Sequence, residues 1–177
     1  MKKRNLPNLK SGDLRSIGHS DEAVELVFAN PELFGELVAG LLDGDRLVRM
    51  RSADAVEKAT REHPAWLTPW KRYLLHDVAA HQEKELRWHV AQLLPRLKLT
   101  AVEREHAVEI LNEYLRDKSS IVRTFSMQAL VDLAESDPPL RLQVRPLIER
   151  LTQSGTPAMK ARGRKLLRKL DKQRECT

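Results

Sequence analysis

Four stretches of the chain align with one another without gaps, and together they predict its fold. They are DRLVRMRSADAVEKA at 45–59, EKELRWHVAQLLPRL at 83–97, SSIVRTFSMQALVDL at 119–133 and TPAMKARGRKLLRKL at 156–170. Each stretch has an apolar residue followed by a basic one at its fourth and fifth positions. The basic residue recurs at positions 49, 87, 123 and 160, so the spacings are 38, 36 and 37 residues. A period in this range is typical of helical-repeat proteins.

Each aligned stretch has the pattern of an amphipathic helix. Counted from the apolar member of the pair, apolar or small residues recur at offsets 0, 4, 7, 8 and 11, which share one stripe of an α-helix. The position expected for the N-cap is occupied in three of the stretches by a favoured capping residue, namely Asp45, Ser119 or Thr156. In the remaining stretch it is occupied by Glu83, whose negative charge suits the positive end of the helix dipole. The small residues at offset 4 predict a close approach by a neighbouring helix; they are Ser52, Ser126 and Gly163.

A second set of helices is predicted between the aligned stretches. Their start signals are Asn30-Pro31, Thr68-Pro69, Thr100 and Asp137-Pro138, and the helices extend to about 42, 80, 116 and 153. A further short helix is predicted at 21–29. The unit is therefore a helix, a short turn and a second helix, repeated four times.

The pattern Asp-x-x-Val-Arg that opens the first stretch, formed by Asp45, Val48 and Arg49, resembles the HEAT-repeat family. The resemblance extends over about 31–171. The sequence departs from the pattern at Ser119 and Thr156, which replace the acid, and at Lys160, which replaces the arginine. The resemblance implies an all-α, right-handed α-α superhelix of about four helical hairpins plus the short N-terminal helix. It also implies a concave side formed by the second helices, which in this family usually binds protein or nucleic acid.

The predicted organisation is one HEAT-like domain at 19–171, preceded by a basic, flexible N-terminal arm at 1–18 and followed by a flexible tail at 172–177. Residues 1–15 carry a net charge of +4 and residues 160–177 a net charge of +6, whereas the whole chain carries only +6. The body between the two ends is therefore mildly acidic. The basic charge that could attract nucleic acid is confined to the ends.

The candidate binding surface follows from the predicted helices. If offset 0 faces inward, offsets 2, 6 and 9 lie roughly 180° away at about 100° per residue and face the concave side. The predicted partner-binding residues on this face are Met50, Asp54, Glu57, Trp88, Gln92, Thr124, Gln128 and Val131. A central tryptophan with neighbouring amides suits a protein or peptide partner better than a uniform row of phosphates.

Other residues of the repeats have a structural interpretation. The arginines at offset 1, Arg49, Arg87 and Arg123, are predicted to form hydrogen bonds to Asp or Glu between repeats. Trp66 and Trp70, four residues apart, are predicted to pack in the core or between repeats.

The last aligned helix has two open interpretations. In the first, its basic side chains are solvated, because a terminal repeat needs a polar outer face. Alternatively they contact nucleic acid or an acidic partner. The candidate contacts are Arg164, Lys165, Arg168 and Lys172.

Signatures of catalysis are few. Cys176 is the single cysteine, and no Gly-rich phosphate loop, GxSxG or HExxH motif is present. Glu103-x-x-His106 has the spacing of half a di-iron site, but no second copy exists. We therefore expect a non-enzymatic, cytoplasmic scaffold without metal or cofactor. The alternative is a nucleic-acid-binding HEAT-like protein, including an enzyme similar to the helical-repeat alkylpurine-DNA glycosylases.

Overall fold

The computed structural model describes Leu6, Leu9 and residues 19–175, with side chains described through Lys172. Every regular element in this part of the chain is helical and no strand occurs there, which confirms the all-α fold class. The contacts divide the chain into two compact units, Met1–Lys98 (unit 1) and Leu99–Thr177 (unit 2). Apart from Leu6 and Leu9, the basic arm predicted at 1–18 lies outside the described residues.

In the part of unit 1 that the structure describes, five α-helices are joined by tighter helical turns. The α-helices are α1 (Ser20–Ala29), α2 (Phe34–Ala39), α3 (Arg46–Glu62), α4 (Lys71–Tyr73) and α5 (Lys84–Leu93). Turns of 3-10 helix occupy Pro31–Leu33, Gly40–Leu42, Pro64–Trp70 and Leu94–Arg96, and a π-helical turn occupies Leu74–Val78.

Helix α3 is the centre of unit 1 and packs against α1, α2 and α5. Asp45 caps it as predicted, because its carboxylate accepts a hydrogen bond of 2.8 Å from the backbone N–H of Leu47. The small residue at offset 4 has the predicted effect. A Cβ atom added to Gly40 would lie 2.2 Å from the Ser52 Oγ, so the two segments approach closely only because both residues are small.

The helix predicted to begin at Thr68 begins earlier, at Pro64, and is irregular. Pro69 lies inside its 3-10 turn, where it cannot donate a backbone hydrogen bond. Trp66 packs its ring against His63 at 4.4 Å and Phe34 at 5.3 Å between ring centroids, as the packing interpretation predicted. The ring of Trp70 lies against the backbone of the 31–42 segment at Gly35, whose added Cβ would be 3.3 Å from it.

Unit 2 consists of α6 (Ala101–Tyr114), α7 (Ser120–Leu133), α8 (Pro138–Ser154) and α9 (Pro157–Glu175). Thr100 and Glu103 form a reciprocal capping box at the start of α6. Asp137 caps α8 by accepting a hydrogen bond of 3.0 Å from the backbone N–H of Leu140. The sequence predicted both of these starts.

Helices α8 and α9 form the most closely packed hairpin of unit 2. A Cβ added to Gly163 of α9 would lie 1.9 Å from the Thr152 Oγ1, so only glycine fits at this offset-4 position. Helix α9 continues through Glu175 and includes the first four residues of the tail predicted at 172–177.

Candidate partner-binding surface

The second helices of unit 1, α3 and α5, pack side by side and run parallel. Three polar pairs join them, and the residue numbers rise together along both helices; the pairs are Arg49 with Glu83, Asp54 with His89, and Glu57 with Arg96. Parallel neighbours are expected when equivalent helices of successive hairpins stack, whereas the two helices within a hairpin are antiparallel.

Unit 2 shows the same arrangement between α7 and α9. Its pairs are Ser120 with Thr156 at 2.6 Å, Gln128 with Arg162 at 2.8 Å, and Asp132 with Lys169 at 2.8 Å. Partners in these pairs are 34 to 37 residues apart, which is about one sequence repeat. Each unit thus contains two hairpins whose second helices are in register.

Three of the predicted surface residues are buried, and the expectation that they face solvent is wrong. The exposed fractions are 2% for Glu57, 8% for Thr124 and 0% for Val131. The prediction assumed that each second helix packs against the rest of the chain on one side only and is exposed on the other. Because these helices also pack against each other, the covered arc is wider than half of the circumference, and offset 9 lies inside it. In α3 this position faces the 3-10 turn that follows α5, where Arg96 binds Glu57.

The other predicted residues, Met50, Asp54, Trp88, Gln92 and Gln128, are each partly exposed. Several of them have contacts within their unit. Gln92 donates a hydrogen bond of 3.2 Å to the carbonyl oxygen of Trp88, and the Trp88 ring stacks on that of His89. Asp54 accepts a hydrogen bond of 2.6 Å from Ser20, and Gln128 donates one of 2.8 Å to Asp132. In unit 1, the predicted residues that keep part of their surface exposed are thus Met50, Trp88 and Gln92, together with Asp54.

Sequence reasoning missed the residues at offset 10, which lie one turn after offset 6 on the same arc. They are Lys58, Arg96, Asp132 and Lys169, and all four form ion pairs. An i, i+4 search would have found part of this pattern. Lys58 pairs with Asp54 at 2.7 Å, and Asp132 accepts the hydrogen bond from Gln128.

A buried polar cluster lies beneath Trp88. The Trp88 ring stacks on the ring of His89, with centroids 3.6 Å apart, and the His89 side chain is buried. The Nδ1 of His89 lies 2.6 Å from the carbonyl oxygen of Glu85, and its Nε2 lies 3.7 Å from the carboxylate of Asp54. These contacts orient the His89 ring, against which the Trp88 indole stacks.

Two carboxylates of α3 are held in the ionised form. Burial opposes the ionisation of Asp54, but the side chains of His89, Lys58 and Ser20 outweigh it and keep the pKa well below its usual range. Burial likewise acts to raise the pKa of Glu57, but hydrogen bonds from Arg61 and Arg96 lower it overall. Both acids join α3 to its neighbours.

The three arginines at offset 1 differ in their partners. Arg49 binds Glu83 of the next repeat through Nε and Nη2, which confirms the prediction for this residue. Arg87 donates to the carbonyl oxygen of His81 and to the side chain of Gln82. Arg123 makes no ion pair among the described residues, and its buried Nε has no hydrogen-bond partner there. The prediction of an acidic partner is therefore wrong for Arg123.

The candidate nucleic-acid contacts form one face of α9. Arg164, Lys165, Arg168 and Lys172 are all exposed, on the side opposite the buried Met159 and the other core residues of α9. The structure brings these four side chains together on a single helix, as the sequence predicted.

The half di-iron motif is accounted for by local structure. Glu103 belongs to the capping box of α6, and His106 lies 3.3 Å from Glu109. No cluster of three or more potential metal-ligating side chains occurs among the described residues.

Unit 2 also has two adjoining open cavities of about 360 and 350 Å³ between α6 and α8, which sequence reasoning did not find. They share Val108, Leu140 and Gln143. The walls carry apolar side chains and isolated charges, such as the ion pair of Arg104 with Asp137 at 2.7 Å.

Comparison of the chain with models of known protein families gives no match, and comparison with curated proteins gives no significant similarity. In the described part of the chain, no helix combines the length and the apolar character needed to cross a membrane.

Proposed function

We propose that this chain is a non-enzymatic, HEAT-like helical-repeat scaffold that binds a protein or peptide partner on its second helices. The proposal includes the right-handed superhelical arrangement of the four hairpins. The partner-binding surface is the unit 1 ridge, defined as Met50, Trp88 and Gln92.

The parallel stacking of α3 on α5 and of α7 on α9 supports the repeat architecture. A simple up-and-down bundle places antiparallel helices side by side, whereas a repeat array aligns equivalent helices in parallel. The polar pairs that join these helices recur at about the repeat spacing in both units.

The observation that carries the proposal is the partly exposed Trp88, whose ring stacks on that of the buried His89. Tryptophan is enriched among the residues that dominate binding energy. An indole already fixed by stacking loses little conformational entropy when a partner covers it, so more of the contact energy appears as affinity. Gln92 lies one turn along α5, and its amide can pair with the backbone of an extended peptide.

Affinity capture with the full chain, followed by mass spectrometry, would identify candidate partners, and calorimetry with the purified partner would then measure the dissociation constant. We expect Trp88→Ala to weaken binding at least about 30-fold, the effect of losing about 2 kcal/mol at a dominant contact. Gln92→Ala should weaken it less, because it removes only amide contacts.

Leu142→Ala is the matched control, because Leu142 is an exposed apolar residue of α8 that is not on the ridge. It should leave the affinity unchanged. Thermal melts must show that Trp88→Ala remains folded at the temperature of the assay. If the folded Trp88→Ala and Gln92→Ala variants both bind the partner as the unaltered chain does, the ridge is not the binding surface.

A further inference from the structure

Helix α9 carries a continuous stripe of cations, and none of the acidic side chains that the structure describes neutralises it. Successive residues of an α-helix are separated by about 100° around its axis, and at this spacing four exposed cations fall within an arc of roughly 100°. We call them the α9 stripe; they are Arg164, Lys165, Arg168 and Lys172. All four are exposed, and none forms an ion pair with a described acidic residue. Two other cations of the same helix contrast with them: Arg162 binds Gln128, and Lys169 binds Asp132.

The stripe lies where a further repeat would pack. By alignment of the repeats, Arg164 and Arg168 correspond to Met127 and Val131 of α7, which are fully buried in unit 2. Exposure to solvent explains why polar residues replace apolar ones in this repeat. It does not explain why all four side chains of the stripe are positively charged. A solvated surface normally mixes acids with bases. Here the neighbouring acid of α9, Asp171, is paired with Arg145 of α8 at 2.6 Å.

We infer that the α9 stripe binds the phosphate backbone of nucleic acid, without sequence preference. This inference is independent of the unit 1 ridge. The other exposed residues on the described part of this arc are Pro157 and Ala161, so the stripe offers no large apolar or aromatic side chain. A protein partner would need such an anchor at the centre of its interface, and an inserting membrane helix would need an apolar face. Binding to the phosphates of a nucleic acid requires only cations.

The dimensions of the stripe suit a duplex. From Arg164 to Lys172 the helix rises about 12 Å, at 1.5 Å per residue. Duplex DNA carries one charge per roughly 1.7 Å of its axis, so several phosphates lie within reach of the four side chains. If all four cations contact phosphates, the logarithm of the binding constant should fall against the logarithm of salt concentration with a slope of about −3.6. This slope corresponds to a loss of roughly 150-fold between 50 and 200 mM salt.

Fluorescence anisotropy with a labelled duplex of random sequence tests the inference, using the full chain. We expect binding at 50 mM NaCl with a slope between about −3 and −4. Replacing the stripe by Arg164→Gln, Lys165→Gln, Arg168→Gln and Lys172→Gln should abolish most of this binding and bring the slope close to zero. Glutamine retains helix propensity, and circular dichroism would verify that α9 remains intact.

A matched control removes the same charge elsewhere. The exposed cations replaced by glutamine are Arg72, Lys98, Arg116 and Lys118. Retention of binding by this control, with loss in the stripe variant, would support the stripe. Equal loss in both variants would mean that net charge alone is responsible, and would overturn the inference. Absence of duplex binding at 50 mM NaCl would also overturn it, as would stripe-dependent binding to polyglutamate or anionic phosphatidylserine vesicles but not to DNA.

Discussion

Replacing Glu57 with glutamine should destabilise unit 1 although the side chain keeps its shape. The Glu57 carboxylate is only 2% exposed and accepts hydrogen bonds from Arg61 at 3.0 and 2.6 Å, together with one from Arg96 of the next repeat. A neutral amide retains one acceptor and directs an N–H₂ group toward one of the guanidinium groups. The substitution therefore weakens a charge-assisted contact between the α3 and α5 segments.

The expected size of the effect follows from burial. Loss of one partner from a fully buried ion pair costs about 3–5 kcal/mol. The Arg61 side chain is 61% exposed and that of Arg96 21%, so water can solvate both after the change. Arg96 also keeps hydrogen bonds to the Glu57 carbonyl at 2.6 Å and to Thr60 at 2.9 Å. We therefore expect a loss of about 2 kcal/mol in the free energy of unfolding, somewhat below the buried-pair range.

Urea unfolding followed by tryptophan fluorescence measures this loss selectively. All three tryptophans, Trp66, Trp70 and Trp88, belong to unit 1. A loss of 2 kcal/mol should lower the urea midpoint by about 1 M at a typical slope near 2 kcal/mol per M. The control is Glu62→Gln in the exposed last turn of α3, where an acid does not favour the helix dipole. If both variants unfold at the midpoint of the unaltered chain, the ion pair does not stabilise unit 1.

The two carboxylates of α3 that join it to its neighbours, Glu57 and Asp54, predict that unit 1 loses stability as the pH falls. The folded-state pKa of Glu57 is lowered, and so is that of Asp54. A lowered pKa means that the unfolded chain binds protons first as the pH falls. The associated stability is complete above the unfolded pKa, about 4 to 4.5, and is lost as the pH falls below it. The fluorescence midpoint should therefore drop between pH 5 and 3, and the drop should be smaller in Glu57→Gln. An equal drop in both proteins would exclude Glu57 as a contributor.

Two further predictions concern repeat positions. Gly163→Ala should destabilise unit 2 by up to about 2 kcal/mol. Overpacking against Thr152 costs roughly 1–3 kcal/mol, and the higher helix propensity of alanine offsets about 1 kcal/mol of this. A rise in the thermal midpoint, measured by circular dichroism, would contradict this. Arg49→Met should cost about 1–2 kcal/mol in urea unfolding because it removes the contact with Glu83, whereas Arg123→Met should be neutral or stabilising. Equal losses in the two variants would refute the distinction.

Periodicity was sufficient to predict most helix positions. The starts at Thr100 and Asp137 depend on side chains that cap the helix within a few residues, and such local chemistry can be read from one sequence. The segment that begins at Pro64 was placed incorrectly because Pro69 imitates a helix start while lying inside a 3-10 turn. Nothing local distinguishes these two uses of proline.

The candidate surface was harder to predict because it depends on contacts between helices. A helical wheel assigns each residue an angle but does not say how many neighbours surround the helix. In α3 and α5 the side chains at offsets 2 and 6 remain partly exposed. At offset 9, Glu57 of α3 and Val131 of α7 are buried. Rotating the predicted face by about 40°, from offset 9 toward offset 10, brings it into agreement with the exposed residues of α3 and α5, although Thr124 at offset 2 of α7 stays buried.

The arginines at offset 1 show why an aligned residue is not an equivalent contact. Arg49 reaches an acid only because Glu83 stands at the start of the next second helix. The residue that aligns with Glu83 in the last repeat is Thr156, a hydroxyl that accepts a hydrogen bond from Ser120 or donates one to it. Arg123 therefore has no carboxylate to bind at the corresponding place. The repeat preserves the helix and its packing stripe, while the chemistry of each junction is set by two residues about 34 positions apart. A ligand surface built across such junctions can thus change from one pair of repeats to the next without any change in the fold.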